Sequence, residues 1–115
     1  NMIVKAKLNN LRISARKVRL VADMIRGKPA AKAASILSFT TKKASRPLLK
    51  LLNSAVANAK NNLKLDPSLL FVEKIEVNDG QKYKRMRPRA RGQGFEIQKK
   101  TSHIIMILNN KKHDS

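Results

Sequence analysis

Lys82, Lys84, Arg85, Arg87, Arg89 and Arg91 fall within ten consecutive residues that contain no acid. Such a run does one kind of chemistry well: guanidinium forks grip phosphate oxygens two at a time and stack on bases, and ammonium groups add point charges beside them. Lys99 and Lys100 extend the run further along the chain. A block of like charge can also be a solvated or disordered stretch. Its surroundings favour the binding reading, because the run sits at the tip of an expected hairpin.

A second cationic set is spread over the first half of the chain: Arg12, Arg16, Lys17, Arg19, Arg26, Lys28, Lys42, Lys43 and Arg46. A charged outer face is normal for a surface helix. Here the charge is barely opposed, since Asp23 is the only acid between Asn1 and Leu65. Over all 115 residues, 26 Lys and Arg face 7 Asp and Glu, a formal charge of +19. A charge of that size implies a polyanionic partner, and phosphate backbones bind such surfaces by releasing condensed counterions. A hydrophobic fraction of 42% is too high for a disordered basic tail, so a folded core is expected beside the charge.

Other chemistries find little support. With no Cys there is no disulfide framework and no thiolate metal site. Thr101, Ser102 and His103 form a polar cluster, but His113 is the only other imidazole. His103 therefore reads as a structural histidine or an RNA hydrogen-bonding group. Glu73, Glu76 and Asp79 invite comparison with a carboxylate metal site, yet Glu73 and Glu76 are three apart and would point to opposite faces of a strand. Pairing with neighbouring lysines is the expectation for them. No nucleophile has a matching base and no glycine-rich loop cradles a phosphate, so neither enzyme activity, cofactor nor metal is expected. The aromatics are Phe39, Phe71, Tyr83 and Phe95, 3% of the chain. Readers of single-stranded sequence stack bases on aromatic platforms, so recognition of a folded RNA or a duplex through its backbone and shape is expected instead.

The elements that must hold these groups follow from periodicity. Met2 to Leu8 alternates like a half-buried strand. Ser14 stands as N-cap before a helix from Ala15 to Arg26, whose stripe is Val18, Val21, Ala22 and Ile25, with Arg16, Arg19 and Arg26 opposite and Gly27 as its left-handed stop. Pro29 opens a short helix from about Ala30 to Ser38, with Ala33, Ile36 and Leu37 inward. A longer helix carries Leu48, Leu52, Ala55, Val56, Ala59 and Leu63, ends at Asp66-Pro67, and starts from either Ser45 or Thr41. From Leu69 the period becomes two: Leu69, Phe71, Ile75 and Val77 on one side, Leu70, Val72, Lys74 and Glu76 on the other. Residues His103 to Leu108 form another strand. Pairing the two runs about a turn near Pro88 to Gly92 makes residues 78–101 an extended two-stranded arm, with an expected reach of about 30 Å. The fold class is thus α+β: three helices on a small antiparallel three-stranded sheet with a long protruding hairpin, all in one domain.

Four segments in order also resemble one family. These are Arg12 to Gly27 (RISARKVRLVADMIRG), Ser54 to Ala59 (SAVANA), Lys84 to Gly92 (KRMRPRARG) and Lys99 to Ile104 (KKTSHI). Together they resemble large-subunit ribosomal protein number twenty-two, of bacterial or organellar type, across about Met2 to Leu108. The resemblance implies an α+β body on the outer surface of the large subunit near the peptide exit. It implies binding to several domains of large-subunit ribosomal RNA, a role in subunit assembly, and a hairpin lining the exit tunnel. It implies a tunnel-side tip made of Arg85, Met86, Arg87, Pro88, Arg89, Ala90, Arg91 and Gly92, with Thr101 to His103 at the hairpin base. Neighbouring ribosomal proteins and the nascent peptide near the tip are the further partners it implies, in a cytoplasmic or organellar ribosome. Gln93-Gly94-Phe95-Glu96 departs from the usual Arg-Ala-Asp-Arg type of stretch, and no role is carried over to it.

No run of roughly 18 apolar residues suggests a membrane span and no signal peptide is expected, so the chain reads as soluble and intracellular, without homo-oligomerisation. Asn1 before Met2 suggests a longer gene product. Two other classes compete. A DNA-bending architectural protein also combines basic ribbons, a proline at the tip and a helical body, though usually as a symmetric dimer. An RNA-processing enzyme would need a catalytic constellation that the sequence lacks.

Overall fold

The computed structural model describes residues 3–88 and 94–110, with side-chain surroundings for residues 3–80 and 100–110. The order is β1 (Ile3–Leu11), α1 (Ala15–Ile25), α2 (Ala30–Phe39), α3 (Ser45–Asn61), a 3₁₀ turn (Pro67–Leu69), β2 (Phe71–Pro88) and β3 (Gly94–Asn109). The fold is α+β, with three helices and an antiparallel sheet in the order β1-β3-β2.

β3 lies at the centre and is apolar at every position from Ile104 to Leu108. Ile104, Met106 and Leu108 are all fully buried. They meet Leu8, Ala6 and Val4 of β1 on one side and Val77, Ile75 and Val72 of β2 on the other. The helices cover that face, with α1 beside β2, α3 against β1, and α2 on α3. The α1 stripe of Val18, Val21, Ala22 and Ile25 is buried as the spacing predicts. At about 25 cal/mol per Å² of apolar area, each of these large side chains contributes roughly 1.5–3 kcal/mol of burial against the chain entropy.

Local chemistry sets the helix ends. Ser14 occupies the N-cap of α1, but its side chain makes no capping bond. Gly27 follows the helix at φ +80°, the left-handed stop that glycine adopts without a Cβ penalty. α3 begins at Ser45, so Pro47 lies in the first turn, where its missing N–H removes no helical bond. The Ser45 hydroxyl does not cap the helix; it donates back to the carbonyls of Thr40 and Lys42 at 2.8 and 2.5 Å. Contrary to the stripe read through Leu63, α3 stops at Asn61. Lys64 turns the chain at φ +57° and the Leu65 amide closes on the Ala59 carbonyl at 2.9 Å. Asp66 instead starts the next turn, its carboxylate accepting from the Ser68 amide at 3.0 Å. That bond holds its pKa below the usual carboxylate value.

β2 departs from strict alternation twice, at register shifts between Val72 and Lys74 and between Asp79 and Lys82. The first corrects the sequence reading of this strand. Glu73 is an extra residue, so parity flips there: Leu70 and Val72 are buried together with Ile75 and Val77, while Leu69 is 59% exposed. A bulge opposes two residues to one and so reverses which face follows it. Beyond Asp79 the ladder continues from Lys82↔Lys100 to Pro88↔Gly94. The expected turn near Pro88 to Gly92 therefore falls largely in residues 89–93, outside the described residues. The molecule measures 64 × 25 × 24 Å, a body drawn out along one axis. Among the described residues no helix is long and apolar enough to cross a membrane.

Candidate nucleic-acid interface

A bulge in β1 shapes one side of the site. The register shifts between Leu8 and Leu11, which pairs with Ser102 instead of the residue that strict alternation would supply. Leu11 is thereby returned to the inner face beside Leu8. Asn10 takes up the distortion at φ +58°, a left-handed conformation that asparagine tolerates better than most residues. Its amide, displaced from the ladder, donates to Nδ1 of His103 at 3.1 Å. His103 thus has a structural role at Nδ1, and a neutral ring bonded this way carries its proton on Nε2.

The second edge strand bulges at the same level. A Cβ on Gly80 would overlap Thr101 Oγ1 and approach His103 Nε2 to 3.2 Å. The root of the hairpin is thus a close-packed joint: Thr101 and Ser102 are 2% and 0% exposed, with His103 lying across the sheet between the two bulges. Thr101 and Ser102, expected among the RNA-binding groups, are placed inside the body instead of on its surface.

Around this joint the cations gather. One recess, about 620 Å³, lies between β1 and the start of α3 and is edged by Arg12, Lys43, Arg46 and Lys50. A second, about 320 Å³, is shared by Arg12, Lys17, Lys43 and Lys100. A third, about 470 Å³, runs past Arg16, Lys17, Arg19 and Lys100 to Asp79. Shared lining residues join the three into one trough, which passes the N-terminus of α1 and ends where the arm leaves the body. Among the described residues Asp79 is the one acid along it. The helix N-terminus adds its own partial positive charge to that wall. Lys50, absent from the sequence-based set, belongs to the trough. It stands one turn beyond Arg46 on α3, a spacing that puts both on one face and could have flagged it.

Other expected cations are placed differently. Arg19 leans over the free edge of β2 and donates through Nε and one terminal nitrogen to the Val77 carbonyl at 3.2 and 2.8 Å. Arg26 donates to the Ile75 carbonyl at 2.8 Å and also pairs with Asp23. Just before them, the Gly27 amide bonds to the Val72 carbonyl and the Val72 amide to the Lys28 carbonyl, each at 2.8 Å. The basic side of α1 and the linker after it therefore protect a strand edge that would otherwise expose its polar groups. Lys28 lies at this far end of α1, away from the trough, and Lys42 is exposed in the loop before α3.

The backbones of Lys82, Lys84, Arg85, Met86, Arg87 and Pro88 lie in the outer ladder, opposite the stretch that ends with Lys99 and Lys100. Their side chains, and all of Arg89, Ala90, Arg91 and Gly92, lie outside the described residues. No cluster of three or more His, Asp or Glu side chains occurs among the described residues. Glu76 pairs with Lys74 at 2.8 Å. Their hydrogen bond lowers the Glu76 pKa and raises that of Lys74. Glu73 accepts from Asn109 Nδ2 at 3.2 Å.

The chain is similar to known proteins along nearly its whole length. The large ribosomal subunit protein uL22 of Mesoplasma florum is 53% identical, over 96% of this chain and 99% of its own length. That of Onion yellows phytoplasma is 52% identical over 92% of this chain and 82% of its own. That of Rubrobacter xylanophilus is 54% identical over 91% and 83%. Residues 6–109 match the family described as ribosomal protein L22p/L17e, and the chain belongs to that family.

Proposed function

We propose that this protein is a structural constituent of the large ribosomal subunit that binds large-subunit ribosomal RNA and helps the subunit assemble. The observation that carries the reading is the trough. Among the described residues eight cations, Arg12, Arg16, Lys17, Arg19, Lys43, Arg46, Lys50 and Lys100, line it against one acid, and it opens onto the base of a ladder whose sequence continues the charge. Fixed cations at this density self-repel until phosphate neutralises them, so RNA binding and stability of the assembled form reinforce each other.

The body and arm divide the work. The body is an RNA-binding domain whose trough receives backbone phosphates. Residues 78–101 form an arm that threads between RNA helices, with Lys82, Lys84, Arg85, Arg87, Arg89, Arg91 and Lys99 as its phosphate contacts. The family resemblance supports placing the tip, Arg85 to Gly92, in the wall of the nascent-peptide exit tunnel, with neighbouring ribosomal proteins around the body in a cytoplasmic ribosome. Hydroxyl-radical footprinting of large-subunit RNA tests this directly. Two protected regions are expected, one lost when Arg12, Lys17 and Arg46 become Gln and the other lost when residues 83–95 are deleted. Uniform reactivity with and without protein would contradict it.

A further inference from the structure

The 620 Å³ recess between β1 and α3 differs from the rest of the trough because its floor is apolar. Leu8, Leu11, Ile13, Pro47 and Leu51 form it, and Ile13 and Leu51 are already 7% and 8% exposed, so the floor is the rim of the core itself. Its volume lies within the range of pockets that enclose a small organic group, roughly 300–1,000 Å³. Four cations, Arg12, Lys43, Arg46 and Lys50, stand at its mouth without an acid among the lining residues. Among the described residues none of these four is bonded to a carboxylate.

This combination restricts the occupant. A neutral apolar ligand would fill the floor and leave four cations unpaired beside it. A bare phosphate would satisfy the cations and leave apolar surface wet. A base-paired RNA helix presents phosphates but no free flat face. An unpaired nucleotide supplies both parts, a π-faced base for Leu and Pro side chains to pack on and a phosphate on each side for the rim. Arg12 and Arg46 can also stack a guanidinium plane on the base, which a chain this poor in aromatics would otherwise lack.

We propose that this recess seats one unpaired nucleotide of a folded RNA, with the base against Leu8, Leu11 and Pro47 and its flanking phosphates on Arg12, Arg46 and Lys50. The proposal rests on the RNA-binding reading above and adds to it a site that senses a base, where the remainder of the trough senses only backbone. The bulge at Asn10 is what makes the site, since strict alternation would turn Leu11 away from the inner face.

The test is cavity filling without loss of charge. Pro47→Trp places a large side chain in the recess from the first turn of α3, where the added N–H costs no helical bond. Leu11→Phe fills it from β1 and serves if the first variant does not fold. Each is compared with the unaltered full chain for binding to a large-subunit ribosomal RNA transcript over a range of salt, with far-ultraviolet circular dichroism confirming the fold. The expected result is binding about tenfold weaker, with the slope of log affinity against log salt unchanged because every cation remains. Folded variants that bind as tightly as the unaltered chain overturn the proposal and leave RNA binding intact. A flattened slope also overturns it, because the loss would then come from displaced cations. Failure of the unaltered chain to bind the transcript would overturn the RNA-binding reading itself.

Discussion

The amide of Asn10 donates to Nδ1 of His103 at 3.1 Å, joining positions 93 residues apart. This one bond satisfies the N–H that the β1 bulge withdraws from the ladder, and so holds Leu11 on the inner face. His103→Ala removes the acceptor while leaving the site open to water. A loss of about 1 kcal/mol is expected, in line with a single net hydrogen bond, read as a lower urea midpoint with unchanged slope. An unaltered midpoint would mean that the bulge is held by the packing of Leu11 alone.

Arg19 and Val77 make a second link of this kind. The fork of one guanidinium covers a carbonyl on the free edge of β2. Arg19→Lys keeps the charge but not the fork, and Arg19→Gln keeps neither. Both should destabilise the protein by about 1 kcal/mol and speed amide exchange along β2, with Gln the worse. If Lys matches Arg in exchange protection, charge and not geometry holds the edge.

Gly80 is the tightest point of the arm's root. A Cβ there overlaps Thr101 Oγ1 and comes within 3.1 Å of the Thr101 carbonyl carbon. The second contact is backbone, so rotating the threonine cannot relieve it fully. Gly80→Ala should cost about 1–3 kcal/mol, as overpacking does in a close-packed interior. Unchanged thermal stability would show that the two strands can separate here at no cost.

Every described buried residue lies at or before Val77 or from Thr101 onward. Deleting residues 83–95 should therefore leave a body that unfolds in one cooperative transition, with a melting temperature within a few degrees of the full chain. Loss of cooperativity on thermal scanning would make the arm part of the core.

Much of this was legible in the residues, and what was not has specific causes. The α1 stripe repeats with helical period, Gly27 punctuates it, and the apolar runs on either side of the cationic segment announce a hairpin by their symmetry about it. Glu73 gave no such signal. A bulge residue looks like any other strand residue, yet it decides whether Phe71 or Val72 faces the core. The end of α3 was misread because Leu63 continues the apolar spacing while Lys64, not a glycine, turns the chain. The roles of Arg19 and Arg26 were hidden because their acceptors are backbone carbonyls 58 and 49 residues away, which have no side-chain signature. At the site, charge density announced phosphate, but the sequence could not say which cations share a surface. Only the fold joins Lys100 to Lys17 and Lys43 to Arg12.

The central claim is that the trough is a phosphate-binding surface, and the salt dependence of RNA affinity tests it most directly. Arg12→Gln, Lys17→Gln and Lys100→Gln combined remove three neighbouring charges from its middle without touching a buried apolar side chain. With a large-subunit RNA transcript, the slope of log affinity against log salt should fall by about 2–3 units, roughly 0.7–0.9 per lost contact. A triple variant whose affinity and slope both equal those of the unaltered protein would contradict the account.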